Sequence, residues 1–173
     1  AYLYLIKMFA EGAGKKGGEF YTPRSVVRLM VEIIDPRPGM SVYDPTCGSG
    51  SLLLRVAREV KDVAMFYGQE MNRTTYNLAR MNMILHGIEV PSQIIHDNTL
   101  ARPLRDWGPR DRKDIIIANP PFGGMEEDGI ESNFPASFRT RETADLFMTL
   151  FIHLLKPTGR AAVVLPDGFL FGE

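Results

Sequence analysis

Asn119-Pro120-Pro121-Phe122 brings a side-chain amide, proline carbonyls and an aromatic ring directly behind the apolar run Ile115-Ile116-Ile117-Ala118. Four apolar residues in succession fit a strand buried on both faces. Two prolines, with fixed φ and no N–H, must end that strand in one rigid shape. In open α/β sheets ligands bind at the carboxyl ends of the strands, so this is where chemistry is expected. Standing alone, the same residues would serve as turn punctuation. The rest of the chain decides between the two.

A second constellation is Asp44-Pro45-Thr46-Cys47-Gly48-Ser49-Gly50, between an apolar strand and a helix. Strand, glycine turn and helix form the nucleotide-site layout of doubly wound folds, but the Gly-x-Gly-x-x-Gly spacing is missing. A carboxylate at the strand tip repels a pyrophosphate and attracts the ammonium and sulfonium of S-adenosylmethionine. Gly48 and Gly50 let backbone approach a ligand closely, with Thr46 and Ser49 completing the loop. Glu70, at the next strand end, is placed to accept two ribose hydroxyls, and Asp97 or Asn98, on the third, to bond an adenine edge. Each acid alone would pass for a capping residue; three polar strand ends after a glycine turn point to a site. His86, His96 and His153 lack metal-ligand spacing and read as structural. Cys47 reads as a small turn residue, and no metal is expected.

The elements that must position these groups alternate. Residues 1–10 read as the end of a helix and Glu11 to Gly18 as a flexible glycine-rich linker, without the Gly-Lys-Ser/Thr of a P-loop. Thr22 is expected to N-cap a helix with Pro23 at its first position. Strands are expected at 40–44, 65–70, 94–98, around 115–118 and at 160–166, with helices at 52–60, 72–86 and 143–155. Residues 123–142 hold no apolar period and are expected to form a mobile flap. The alternation implies a doubly wound α/β fold with a parallel sheet, its switch point between the first and fourth strands. The Asp44–Gly50 turn and Asn119-Pro120-Pro121-Phe122 would then flank one crevice.

The 173 residues suit one domain. The chain opens inside an apolar helical pattern and stops just after a strand, so a fragment is expected: 1–18 from a preceding region, and 19–173 a partial domain cut after its fifth strand. One cysteine excludes an internal disulfide and a cysteine-built zinc site. No apolar run is long enough to span a bilayer, and the cytoplasm is the default location. A net charge of −1 lacks the basic footprint of a chain that grips duplex DNA alone.

Phe20-Tyr21-Thr22-Pro23, Asp44 to Gly50, Glu70, Asp97 and Asn119-Pro120-Pro121-Phe122 stand in an order that resembles amino-group DNA methyltransferases. Glu19 to Pro23, Asn119 to Gly123 and Leu165 to Glu173 look most like the modification subunit of type I restriction–modification systems. The resemblance covers nearly the whole chain from Gly18. It implies a Rossmann-like S-adenosylmethionine-dependent methyltransferase sheet, N6-methylation of a flipped adenine in DNA, and separate specificity and restriction subunits. It also implies that Tyr21 and Thr22, with Phe20 and Pro23 around them, meet the methionine part of the cofactor. Solitary or type II adenine methylation, N4-cytosine, RNA or protein-glutamine methylation remain alternatives. From other classes, so do a dinucleotide oxidoreductase domain and a binding scaffold.

Overall fold

The computed structural model describes residues 22–88, 92–121 and 124–171. Phe20, Tyr21, Phe122 and the helix and linker expected over 1–18 lie outside the described residues. Five strands, β1 (Ser41–Asp44), β2 (Met65–Glu70), β3 (Ser92–His96), β4 (Lys113–Ala118) and β5 (Leu155–Val163), form one sheet in the order β3-β2-β1-β4-β5. Every pairing is parallel. The order reverses between β1 and β4, so the switch point lies where it was expected.

β4 explains itself from sequence. Its apolar run sends Ile115 and Ile117 into one core and Ile116 and Ala118 into the other, all four fully buried. The first core is roofed by α1 (Arg24–Ile34), α2 (Ser51–Glu59) and α3 (Arg73–Leu85), through Val27, Ile34, Leu53, Val56 and Met83. The second is roofed by α4 (Thr143–Leu154), through Leu146, Leu150 and Leu154. Helices on both faces make the sheet doubly wound, as expected.

Several boundaries differ from expectation. Thr22 does not cap α1: the N-cap position falls on Pro23, and no side chain caps the helix. β3 starts and ends two residues early, leaving Asp97 and Asn98 just past it. Residues 156–159, left between the expected last helix and strand, lie inside the span of β5, where the register jumps between Lys113↔Leu155 and Ile115↔Arg160. Beyond β5 the chain enters a short helix, α5 (Asp167–Phe171). Residues 124–142 are not a detached flap. Phe134 is buried in the second core, Asn133 Nδ2 donates to the Leu100 and Ala101 carbonyls at 3.0 Å, and Met125 bridges Glu142. One aromatic anchor among polar residues gives no period, which is why the sequence hides this docking.

Candidate active site

The site is built from what each strand delivers at its last residue. β1 ends on Asp44, 1% exposed, whose Oδ1 accepts from the Thr46 backbone N–H at 3.0 Å and lies 3.5 Å from its hydroxyl. The following turn is held from several sides. Cys47 N donates to the Gln69 carbonyl at 2.8 Å, Gly50 N to the Cys47 carbonyl at 2.7 Å, and Gly48 N to Glu70 Oε2 at 3.0 Å. Gly48 and Gly50 have φ of +52° and +81°, the left-handed region that glycine enters at no steric cost. A Cβ on Gly50 would sit 2.6 Å from Met83 Cε on α3, whereas one on Gly48 would meet nothing within 4 Å.

Glu70, at the end of β2, spends Oε2 on Gly48 and accepts from Asn72 N with Oε1 at 2.6 Å. Asp97 N donates to the Glu70 carbonyl at 3.2 Å, which brings the third strand end beside the second. Asp97 is exposed; Asn98 is half-buried, and its Oδ1 already accepts from Leu100 N at 3.0 Å.

Burial dominates the electrostatics. It pushes the Asp44 carboxyl from its ordinary 3.8 up to about 8, with neighbouring Glu70 adding to the rise. Burial raises Glu70 as well, against backbone N–H groups that lower it. Among the described residues no basic side chain forms a salt bridge with either acid. A buried and a half-buried acid on adjacent strands, neither in a salt bridge among the described residues, favour a positively charged ligand. Cys47 is buried and its thiol is pushed well up, so it stays protonated and is no nucleophile. The histidines bind backbone carbonyls: His86 to Asn82, His96 to Met71 and His153 to Trp107, each at 2.9 Å. No group of three or more His, Cys, Asp or Glu side chains among the described residues could hold a metal.

β4 delivers Asn119 and a buried Pro120, while Pro121 is exposed. Asn119 Nδ2 donates to Thr22 Oγ1 at 3.1 Å, and Asn119 Oδ1 is buried with no partner. An orphaned buried acceptor costs about 1–3 kcal/mol, which a donor arriving from outside the chain would recover. Ser49 Oγ is orphaned in the same way.

Three polar supports were not among the residues singled out from sequence. Asn82 on α3 donates Nδ2 to the Ser49 carbonyl at 2.6 Å, and Thr99 donates its hydroxyl to the Pro45 carbonyl at 2.6 Å. Gln69 accepts from the Tyr43 hydroxyl. Asn82 had a signal: it stands between Ala79 and Met83 on the apolar face of α3, where an amide needs a partner. Thr99 and Gln69 had none.

A family model described as N-6 DNA Methylase matches residues 1–173. The chain is 54% identical over 168 residues to the type I restriction enzyme EcoEI methylase subunit of Escherichia coli, covering 90% of this chain and 34% of that protein. It is 36% identical over 196 residues to the type I restriction enzyme MpnII methylase subunit of Mycoplasma pneumoniae, covering 100% of this chain and 36% of that one. A modification subunit assigned to a type I restriction enzyme from Vibrio vulnificus superposes with a TM-score of 0.87 at 40% identity, over 99% of this chain and 39% of that chain. The chain therefore spans about a third of the length of the curated relatives it matches.

Proposed function

Because this chain belongs to the N-6 DNA methylase family, we propose that the protein transfers a methyl group from S-adenosylmethionine to the N6 amino group of adenine in DNA. It does so as the modification subunit of a type I restriction–modification system. The observation that carries this reading is the buried, unpartnered Oδ1 of Asn119 at the carboxyl end of β4.

Adenine N6 is a poor nucleophile because its lone pair is delocalised into the ring. Asn119 Oδ1 and the Pro120 carbonyl accept its two hydrogens, favouring a pyramidal nitrogen with its lone pair directed out of the ring plane. No strong base is needed before attack, and the proton leaves afterwards. Flipping the base from the duplex costs about a few kcal/mol, and stacking on Phe122 offsets part of that. Pro121 completes the rigid turn that holds these acceptors.

The residues present fit the cofactor. Asp44 is a buried acid and Glu70 a half-buried one, both of which would gain a counter-charge from a cationic ligand, and the left-handed Gly48 leaves open space where a side chain would stand. When bound, S-adenosylmethionine supplies an electrophilic methyl group on a sulfonium. Thr46, Ser49 and Gly50 would shape the loop around it, Asp97 or Asn98 would bond its adenine, and Phe20, Tyr21, Thr22 and Pro23 would meet its methionine part. The net charge of −1 supports a separate specificity subunit as the main grip on DNA, with a restriction subunit as further partner. No helix among the described residues is long and apolar enough to cross a membrane, which is compatible with work in the cytoplasm.

Nucleoside mass spectrometry of DNA from cells carrying the full-length protein with its partner subunits tests this, with Asn119→Ala as control. N6-methyladenine that disappears in the variant is the expected result. N4-methylcytosine would keep the cofactor and overturn the pocket; unmodified DNA in both samples would overturn the substrate.

A further inference from the structure

We infer that Thr22 is a positioning residue for methyl transfer: its hydroxyl sets the orientation of the Asn119 amide, so that Oδ1 rather than Nδ2 meets the substrate amino group. The inference rests on the methyl-transfer reading and deepens it.

Threonine ahead of Pro23 is the ordinary choice for a helix cap, yet Thr22 makes no capping bond. Thr22 is instead 7% exposed, and its hydroxyl reaches 97 residues along the chain to accept from Asn119 Nδ2 at 3.1 Å. α1 therefore begins without the side-chain cap that commonly stabilises a helix by about 1 kcal/mol. A hydroxyl withdrawn from a local use and spent on a distant amide has a task there.

The task follows from the shape of a carboxamide. Its oxygen and nitrogen are nearly interchangeable in size, so packing alone does not choose between the two flips. With Nδ2 forward, the amide would set two N–H donors against the donors of an amino group, and neither side would find an acceptor. In the arrangement present, the nitrogen is engaged by Thr22 and the single atom left without a partner is Oδ1. In the flipped arrangement the Thr22 hydroxyl could donate to Oδ1, but both Nδ2 hydrogens would then face the substrate amino group with no acceptor. Thr22 thus ties the head of α1, on the cofactor side of the crevice, to the amide at the tip of β4.

The test uses the full-length protein with its partner subunits and duplex DNA. Thr22→Val removes the hydroxyl and keeps the shape, Thr22→Ala removes it without branching, and Thr22→Ser keeps it. A misdirected reacting group commonly costs about a hundredfold in rate. Thr22→Val and Thr22→Ala are therefore expected to lower kcat by about 10- to 100-fold, and to raise the Kd for S-adenosylhomocysteine by a smaller factor, since Thr22 also borders the methionine side. Thr22→Ser should recover kcat to within about threefold. Unchanged kcat with a Kd raised tenfold or more in both hydroxyl-free variants would make Thr22 a cofactor contact only and overturn the inference. So would parental kcat and Kd in both, or a serine variant as slow as the alanine one. Asn119→Ala separates the levels: if it turns over like the parent, the reading of Asn119 itself fails. If it is inactive while Thr22→Val is not, only the role given to Thr22 fails.

Discussion

Asp44 is buried at the cost of holding a proton it would lose in water. Its carboxyl titrates near 8 in the folded chain against an ordinary 3.8, chiefly through burial. Because the folded pKa lies above the unfolded one, the folded state binds a proton that the unfolded state lacks between those values. Stability from this residue is fully present below about pH 4 and is lost as pH rises towards 8. Asp44→Asn keeps the acceptor for the Thr46 N–H and removes the ionisation, so the ligand-free protein should gain about 1–3 kcal/mol at pH 8.5 and little at pH 4. The same variant should lose most affinity for S-adenosylmethionine, because the buried negative charge that a cation needs is gone. Denaturant unfolding at the two pH values and isothermal titration decide it. A variant no more stable at pH 8.5, or one that binds as the parent does, would show that Asp44 is an ordinary strand-end acid.

At the scale of the element, the strand–turn–helix unit formed by β1, its glycine turn and α2 divides two kinds of glycine. Gly50 is bound by packing as well as by its φ of +81°, since an added Cβ would press on Met83 at 2.6 Å. Gly48 is bound by its φ alone, with open space around it. Gly50→Ala should therefore destabilise by about 2–3 kcal/mol, combining left-handed strain with displacement of Met83. Gly48→Ala should cost only about 1–2 kcal/mol of stability yet weaken cofactor binding tenfold or more, because its methyl enters the space left for a ligand. Equal effects of the two variants on both unfolding and binding would count against a cofactor lying on that turn. This unit was legible because its signals are local: apolar run, acid, glycines, then a helical period. β2 was legible for the same reason, and β4 because a strand buried on both faces writes a continuous apolar run. The turns between Thr99 and Asp111 were not legible, since these short 3-10 pieces are fixed by contacts such as Thr99 to the Pro45 carbonyl. Nor was the true use of Thr22, whose local cap signal is overridden by a partner at position 119.

The whole molecule sets its two constellations against each other by the reversal of strand order between β1 and β4. Neither the glycine turn nor the Asn-Pro-Pro tip selects a ligand alone, and both a dinucleotide and S-adenosylmethionine suit a switch point. Charge chooses between them. A pyrophosphate would bring negative charge towards Asp44 and Glu70, two acids whose pKa values are already raised by burial and which have no salt-bridge partner among the described residues. A cationic ligand relieves that burial instead of adding to it. Binding that favours the folded state must raise its stability by mass action, about 2.7 kcal/mol at a hundredfold excess over Kd. Thermal unfolding of the full-length protein should thus shift upward with S-adenosylmethionine or S-adenosylhomocysteine. NAD and NADP at equal concentration should leave the midpoint where it was. The shift should also shrink as pH falls below 8, because Asp44 must give up its proton to receive the cation. A midpoint raised by the dinucleotides and not by the sulfonium compound would return the crevice to the oxidoreductase class, whatever the Asn119 tip resembles.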